Sequence, residues 1–114
     1  QLDAGRILPF GPIFDRILVD APCTGTGTLA RNPEIRWRLT PEEIRRQYER
    51  QVRILRNALA CLKPGGRLVY STCSLEPEEN KDVVHRVASS RVKRVIERLP
   101  GRDPGDGFFA AVLE

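Results

Sequence analysis

The 114 residues predict an α/β fold, the closing portion of a doubly wound, mostly parallel sheet. Three observations carry that expectation. A short β-branched and aliphatic run at residues 16–20 ends on an acid and opens into a Gly-rich loop. A long stretch with apolar residues at three- and four-residue spacing follows, then a second apolar run at residues 67–73. Strand, helix, strand in that order is the repeating unit of a parallel sheet, and strand tips opening into Gly-rich loops are where such sheets hold ligands.

The elements follow in order. Gln1-Leu2-Asp3-Ala4 reads as the tail of an earlier strand. Residues 16–20 read as a buried parallel strand. Residues 31–39 are basic, and Pro33 argues against a long helix there. Thr40 is a helix cap, Pro41 suits the first helical position, and Glu43 completes a capping box. Ile44, Tyr48, Val52, Leu55, Leu59 and Leu62 then form one apolar stripe, and Lys63-Pro64-Gly65-Gly66 stops the helix. Residues 67–73 form the second buried strand. A second helix runs from 77 to about 88, with Glu78 and Glu79 in its first turn where the helix dipole favours acids. Two strands, 92–99 and 108–113, close the chain as a hairpin around the turn-rich residues 100–107.

Composition narrows the function classes. At 40% hydrophobic and 30% charged residues, the chain suits a globular protein, and no apolar run approaches the length needed to cross a bilayer. Three cysteines without a CxxC pair argue against a disulfide framework or a bound metal, and free thiols point to the cytoplasm. A net charge of +4 fits a nucleic-acid partner without demonstrating one. Cys61 lies inside the helical stripe and reads as a small core residue. His85, the only histidine, lies mid-helix and reads as structural or exposed.

Cys23 and Cys73 are different. Each ends one of two neighbouring strands, so both thiols are expected at one crevice on the carboxyl edge of the sheet. Pro22 fixes the backbone before Cys23, while Gly25 and Gly27 let a ligand approach the main chain closely. Asp20 stands at the same edge, able to accept a hydrogen bond from a ring nitrogen or an amine. Two thiols and an acid around one crevice suit reversible covalent attack on an electron-poor ring.

The motifs DAPCTGTG, YSTCS, LEPEEN and DGFFAA, in that order, resemble the RNA (cytosine-5) methyltransferases of the Nol1/Nop2/Sun family, especially the bacterial 16S ribosomal RNA type. The resemblance runs from Asp3 to the end of the chain. It implies a Rossmann-like methyltransferase sheet and S-adenosyl-L-methionine as cofactor, with ribosomal RNA as substrate and no metal. It implies that Cys73 is the nucleophile that attacks C6 of cytosine, and that Cys23 eliminates the C5 proton and releases the adduct. Asp20 matches an acid at the junction of cofactor and base, and Asp3 an acid near the cofactor adenine. Thr24 stands where the family often has serine. The resemblance also implies that residues 1–114 are the C-terminal half of the catalytic domain. The Gly-rich cofactor loop would then lie outside, leaving this length alone a poor binder of cofactor.

Three other readings stay open on the sequence. An amino methyltransferase would share the fold, but Ala21-Pro22-Cys23 offers no aromatic clamp at the strand end. A silent RNA-binding module would use the basic residues and neither thiol. A redox pair would use both thiols and no RNA. Around Trp37, the arginines Arg31, Arg36 and Arg38 either grip RNA while the indole stacks on a base, or are solvated around a core tryptophan. The arginines Arg45, Arg46, Arg50, Arg53 and Arg56 read as a solvated helix face, with Glu42–Arg46 and Glu49–Arg53 spaced for pairing.

Overall fold

Alternate apolar positions and one helical stripe organise the chain, seen in a computed structural model that describes residues 1–114. The strands are β1 (Phe14–Asp20), β2 (Leu62–Thr72), β3 (Val92–Arg98) and β4 (Phe108–Leu113). The helices are α1 (Ile35–Arg38), α2 (Pro41–Leu59) and α3 (Lys81–Ala88). The four strands form one mixed sheet in the order β1-β2-β4-β3. β1 and β2 are parallel, and β4 runs antiparallel to both β2 and β3. The α/β expectation, with parallel strands and a terminal antiparallel hairpin, is therefore met.

The core lies on one face of this sheet. Leu68 and Tyr70 of β2 and Phe109, Ala111 and Leu113 of β4 point the same way at period two, and all are buried. Val52, Leu55 and Ala58 of α2 and Val83, Val84 and Ala88 of α3 pack onto them. Cys61 is buried, as expected, but it follows α2 rather than lying inside the helical stripe.

Several boundaries differ from the sequence reading. Residues 1–4 form no strand; Asp3 instead turns its carboxylate onto the Gly5 N–H at 2.9 Å. β1 is an edge strand with β2 as its one neighbour, so it is mostly exposed and only Val19 is buried. α2 ends at Leu59, and Leu62 already belongs to β2. The Lys63-Pro64-Gly65-Gly66 segment is an irregularity inside that strand, because pairing jumps from Phe14↔Leu62 to Arg16↔Arg67. Gly65 takes φ 78° there, and a Cβ on Gly66 would meet the Lys63 and Asp15 carbonyl oxygens at 2.9 and 3.0 Å.

The second helix is split. A 3-10 turn at Pro77–Glu79 precedes α3, with Asn80 between them at φ −112°, ψ −100°. The Asn80 backbone breaks the helical ladder there, and the Glu79 and Asn80 side chains are buried. At the start of α2 the Thr40 hydroxyl accepts from the Glu43 N–H at 3.1 Å. The Glu43 side chain turns instead to Gln47 and Arg46, so only one half of the capping box forms. All five arginines of the α2 face are exposed, but Glu49 pairs with Arg86 of α3 rather than with Arg53. His85 is exposed.

Candidate active site

Parallel pairing of β1 and β2 sets two loops side by side at the carboxyl edge. The ladder extends one step past β1, where the Ala21 N–H donates to the Ser71 carbonyl at 2.9 Å. Two residues further on is Cys23; Cys73 follows directly after β2. Their sulfurs lie 3.4 Å apart, with Cys73 exposed and Cys23 half-buried. Residues 50 positions apart in sequence thus share one site.

Backbone contacts fix this spacing. The Gly27 N–H donates to the Cys73 carbonyl at 2.8 Å, and the Gly107 N–H donates to the Gly27 carbonyl at 2.8 Å. A Cβ on Gly27 would meet the Cys73 and Gly107 carbonyl oxygens, each at 2.6 Å. The glycine is required because three segments cross there at van der Waals distance. What approaches Gly27 so closely is the protein's own backbone rather than a ligand. Gly25 has φ 75°, and the Thr28 hydroxyl donates to its carbonyl at 2.8 Å, closing the turn.

Beneath the thiols lies a buried carboxylate. Glu79 is 0% exposed. It accepts from the Thr24 N–H at 2.9 Å, the Thr24 hydroxyl at 2.6 Å and the Gln51 amide at 3.0 Å. It also accepts from the Ser74 hydroxyl. Thr24 follows Cys23 and Ser74 follows Cys73, so one side chain holds both cysteine loops. Gln51 of α2 also donates to the Pro22 carbonyl at 2.8 Å. The Tyr70 hydroxyl donates to the Glu79 carbonyl at 2.7 Å, and the Asn80 amide donates to the Ser74 carbonyl at 2.8 Å. A buried carboxylate persists only when its oxygens are met by donors, as here.

Sequence reasoning placed Glu79 among the first-turn acids of a helix, where the dipole favours them, and did not single out Gln51 or Asn80. The one available signal was an acid–amide pair two residues after the turn proline and close behind Cys73. The donors that bury it come from positions 28 and 55 residues away.

Burial and the neighbouring sulfur act on the Cys23 thiol. Burial, then the hydrogen bond and charge of Cys73, push the Cys23 thiol up to about 12. Cys23 therefore keeps its proton at neutral pH. Burial, with Glu79 and Cys23 nearby, also raises the Tyr70 hydroxyl well above its ordinary value.

The two acids singled out in the sequence lie on the rim. Asp20 is exposed at the tip of β1, and its carboxylate accepts from the Ser71 hydroxyl at 3.3 Å. Asp3 is exposed and lines a hollow of about 560 Å³ with Gly5, Pro22, Arg50 and Ile54. Asp20 does not line that hollow. Arg31 donates to Asp106 at 2.7 Å, and Trp37 is 85% exposed, which excludes the core reading of the indole.

Comparison with known proteins bears on this arrangement. The family model described as 16S rRNA methyltransferase RsmB/F matches residues 3–98. The chain belongs to the RsmB/F family. It is 42% identical over 111 residues to a ribosomal RNA small subunit methyltransferase B from Enterobacter sp. (strain 638), covering 88% of this chain and 26% of that protein. It is 36% identical over 118 residues to a probable ribosomal RNA small subunit methyltransferase B from Coxiella burnetii, covering 90% of this chain and 27% of that protein. The chain thus spans about a quarter of the length of these relatives. Among solved structures, NSun6 from Pyrococcus horikoshii with SFG superposes at a TM-score of 0.86 and 31% identity, covering 100% of this chain and 33% of that one. SFG is an analogue of S-adenosylmethionine, and the RsmB/F family depends on that cofactor. No helix is long and apolar enough to cross a membrane.

Proposed function

We propose that this chain forms the thiol-bearing part of an enzyme that methylates C5 of cytosine in RNA, with small-subunit ribosomal RNA as substrate. The observation that carries the reading is the pair of sulfurs 3.4 Å apart at the carboxyl ends of two parallel strands. Membership of the RsmB/F family supports it.

The residues present fit part of a cofactor site. The hollow beside Asp3 combines apolar Pro22 and Ile54 with a carboxylate, suited to one side of a nucleoside and to its amine or hydroxyl donors. Asp3 would hold the cofactor there, and Asp20 would stand between cofactor and base. When bound, S-adenosyl-L-methionine supplies the electrophilic methyl that C5 accepts.

The remaining chemistry belongs to the two cysteines. The exposed Cys73 sulfur, as thiolate, adds to C6, and the C5–C6 π pair moves onto C5, which becomes nucleophilic. Cys23 remains a neutral thiol through this stage. Once the Cys73 sulfur is committed to carbon, its charge and hydrogen bond no longer hold the proton on Cys23. Burial, the larger influence on Cys23, still opposes loss of its proton. As the base of the release step Cys23 gives that proton to solvent, and its thiolate then removes the C5 proton. The released pair re-forms the C5–C6 double bond and expels Cys73 as thiolate. The target base must leave its stack to reach the pair, at a few kcal/mol, less in a loop or bulge.

Replacing each cysteine in the full-length protein tests the roles. Cys73→Ala is expected to abolish methyl incorporation. Cys23→Ala is expected to trap a slower-migrating protein–RNA adduct, because attack proceeds while release stalls. Methylation that survives Cys73→Ala, or no adduct from Cys23→Ala with RNA and cofactor, overturns the assignment.

A further inference from the structure

Helix α1 is a single short turn between the Cys23 loop and α2, and its two sides differ sharply. Ile35 is buried, with its Cδ1 3.3 Å from where a Gly25 Cβ would lie, so it anchors the turn onto the loop that follows Cys23. Trp37 faces water with 85% of its surface exposed. Arg36 and Arg38 on either side of it are exposed, and neither has a carboxylate within ion-pair distance. Nearby arginines are committed elsewhere: Arg31 to Asp106 and Arg46 to Glu43. Arg38 and Ile35 also line a hollow of about 340 Å³ with Cys23, Thr24, Glu43 and Gln47. A large indole left in water, with unpaired guanidinium groups on the residues before and after it, fits a flat, polyanionic ligand. Nucleobases stack on such rings and their phosphates meet such cations.

We infer that α1 is a docking platform for the single-stranded RNA flanking the target base. Trp37 stacks on an unpaired neighbouring base, while Arg36 and Arg38 hold the phosphates beside it. The inference rests on the reading of the chain as part of an RNA methyltransferase. It adds which residues grip the strand next to the extruded cytosine. RNA is favoured over a protein partner or a second copy because the exposed apolar area is one ring, and the exposed charges of its turn, Arg36 and Arg38 against Glu34, leave a positive balance.

Trp37 is the only tryptophan among residues 1–114, so in the full-length protein the fluorescence difference between wild type and Trp37→Phe reports this platform. A single-stranded oligocytidylate is expected to quench it, and a duplex of equal length to quench it far less. In the full-length protein, anisotropy of a labelled single strand is expected to show Trp37→Ala binding at least about fivefold more weakly, from lost stacking. Trp37→Phe keeps a ring and should stay within about threefold of the wild type. Joint replacement Arg36→Ala and Arg38→Ala should lower the slope of log affinity against log salt by about 1.4. In turnover, Trp37→Ala should raise KM for RNA and leave kcat unchanged. Absence of quenching at saturating RNA, or equal affinity of Trp37→Ala, overturns the platform. So does a dimer that Trp37→Ala dissolves without any change in RNA binding. Quenching together with methylation indifferent to Cys73 leaves the platform standing and the cysteine chemistry refuted. Methylation dependent on Cys73 with unchanged KM in Trp37→Ala does the reverse.

Discussion

Cys23 and Cys73 share a site yet meet different surroundings, and that difference is measurable. Cys73 is exposed, whereas Cys23 is half-buried with its thiol pushed up to about 12. Iodoacetamide at pH 8 is expected to label Cys73 well before Cys23, with buried Cys61 last, as read by peptide mass spectrometry. Equal labelling of Cys23 and Cys73 would contradict the assigned environments. Glu79 supplies a second test at this scale. Glu79→Ala strands the Thr24 N–H and hydroxyl, the Ser74 hydroxyl and the Gln51 amide, and should destabilise by more than about 3 kcal/mol in urea titration. Thr24→Ser, which keeps both donors, should stay within about 0.5 kcal/mol. The cysteines and Asp20 were legible because strand tips in a parallel sheet announce themselves through the switch from apolar run to Gly-rich loop. Glu79 was not, since an acid in a first helical turn has the same local signature whether it faces water or four donors.

Among the elements, the seam of Gly27, Cys73 and Gly107 carries the sharpest expectation. Gly27→Ala would drive a methyl into two carbonyl oxygens at 2.6 Å, and should destabilise by about 1–3 kcal/mol or more while disturbing the sulfur spacing. Gly11→Ala is the control, because nothing lies within 4 Å of the added carbon, and it should be near neutral. Thr40→Ala should cost about 1 kcal/mol through loss of the α2 cap. Thermal or urea melts of the three variants check the ranking. The long amphipathic helix and both hairpin strands were readable, because their periodicity and turn residues are local properties. The end of α2 and the split before α3 were not. In the first, Leu62 fits both the helical stripe and a buried strand position. In the second, Asn80 leaves helical geometry to reach Thr72 and Ser74, partners brought near only by β2.

For the molecule as a whole, alkaline pH is the expected weak side. Cys23 and Tyr70 both bind their protons more tightly folded than unfolded. Between the ordinary thiol range and about 12, the unfolded chain has lost protons that the folded one retains, so stability falls as pH rises. Their contribution is fully present at pH 8 and below, and urea midpoints should decline steadily from about pH 9 upward. A flat profile between pH 9 and 11 would contradict it. The α/β class itself was legible from strand, helix, strand order. The exposure of β1 was not, because a run of aliphatic residues does not say how many neighbours its strand has.

β4 sits between β2 and β3 although it is synthesised after both. A ribosome therefore releases β3 with no partner for its backbone groups, and the sheet stays open until Phe108–Leu113 emerges. The Gly107 N–H that clasps Gly27 arrives at the same moment. A nascent chain stalled before that point carries both sulfurs, and Glu79 between their loops, but lacks the Gly107 clasp beside them.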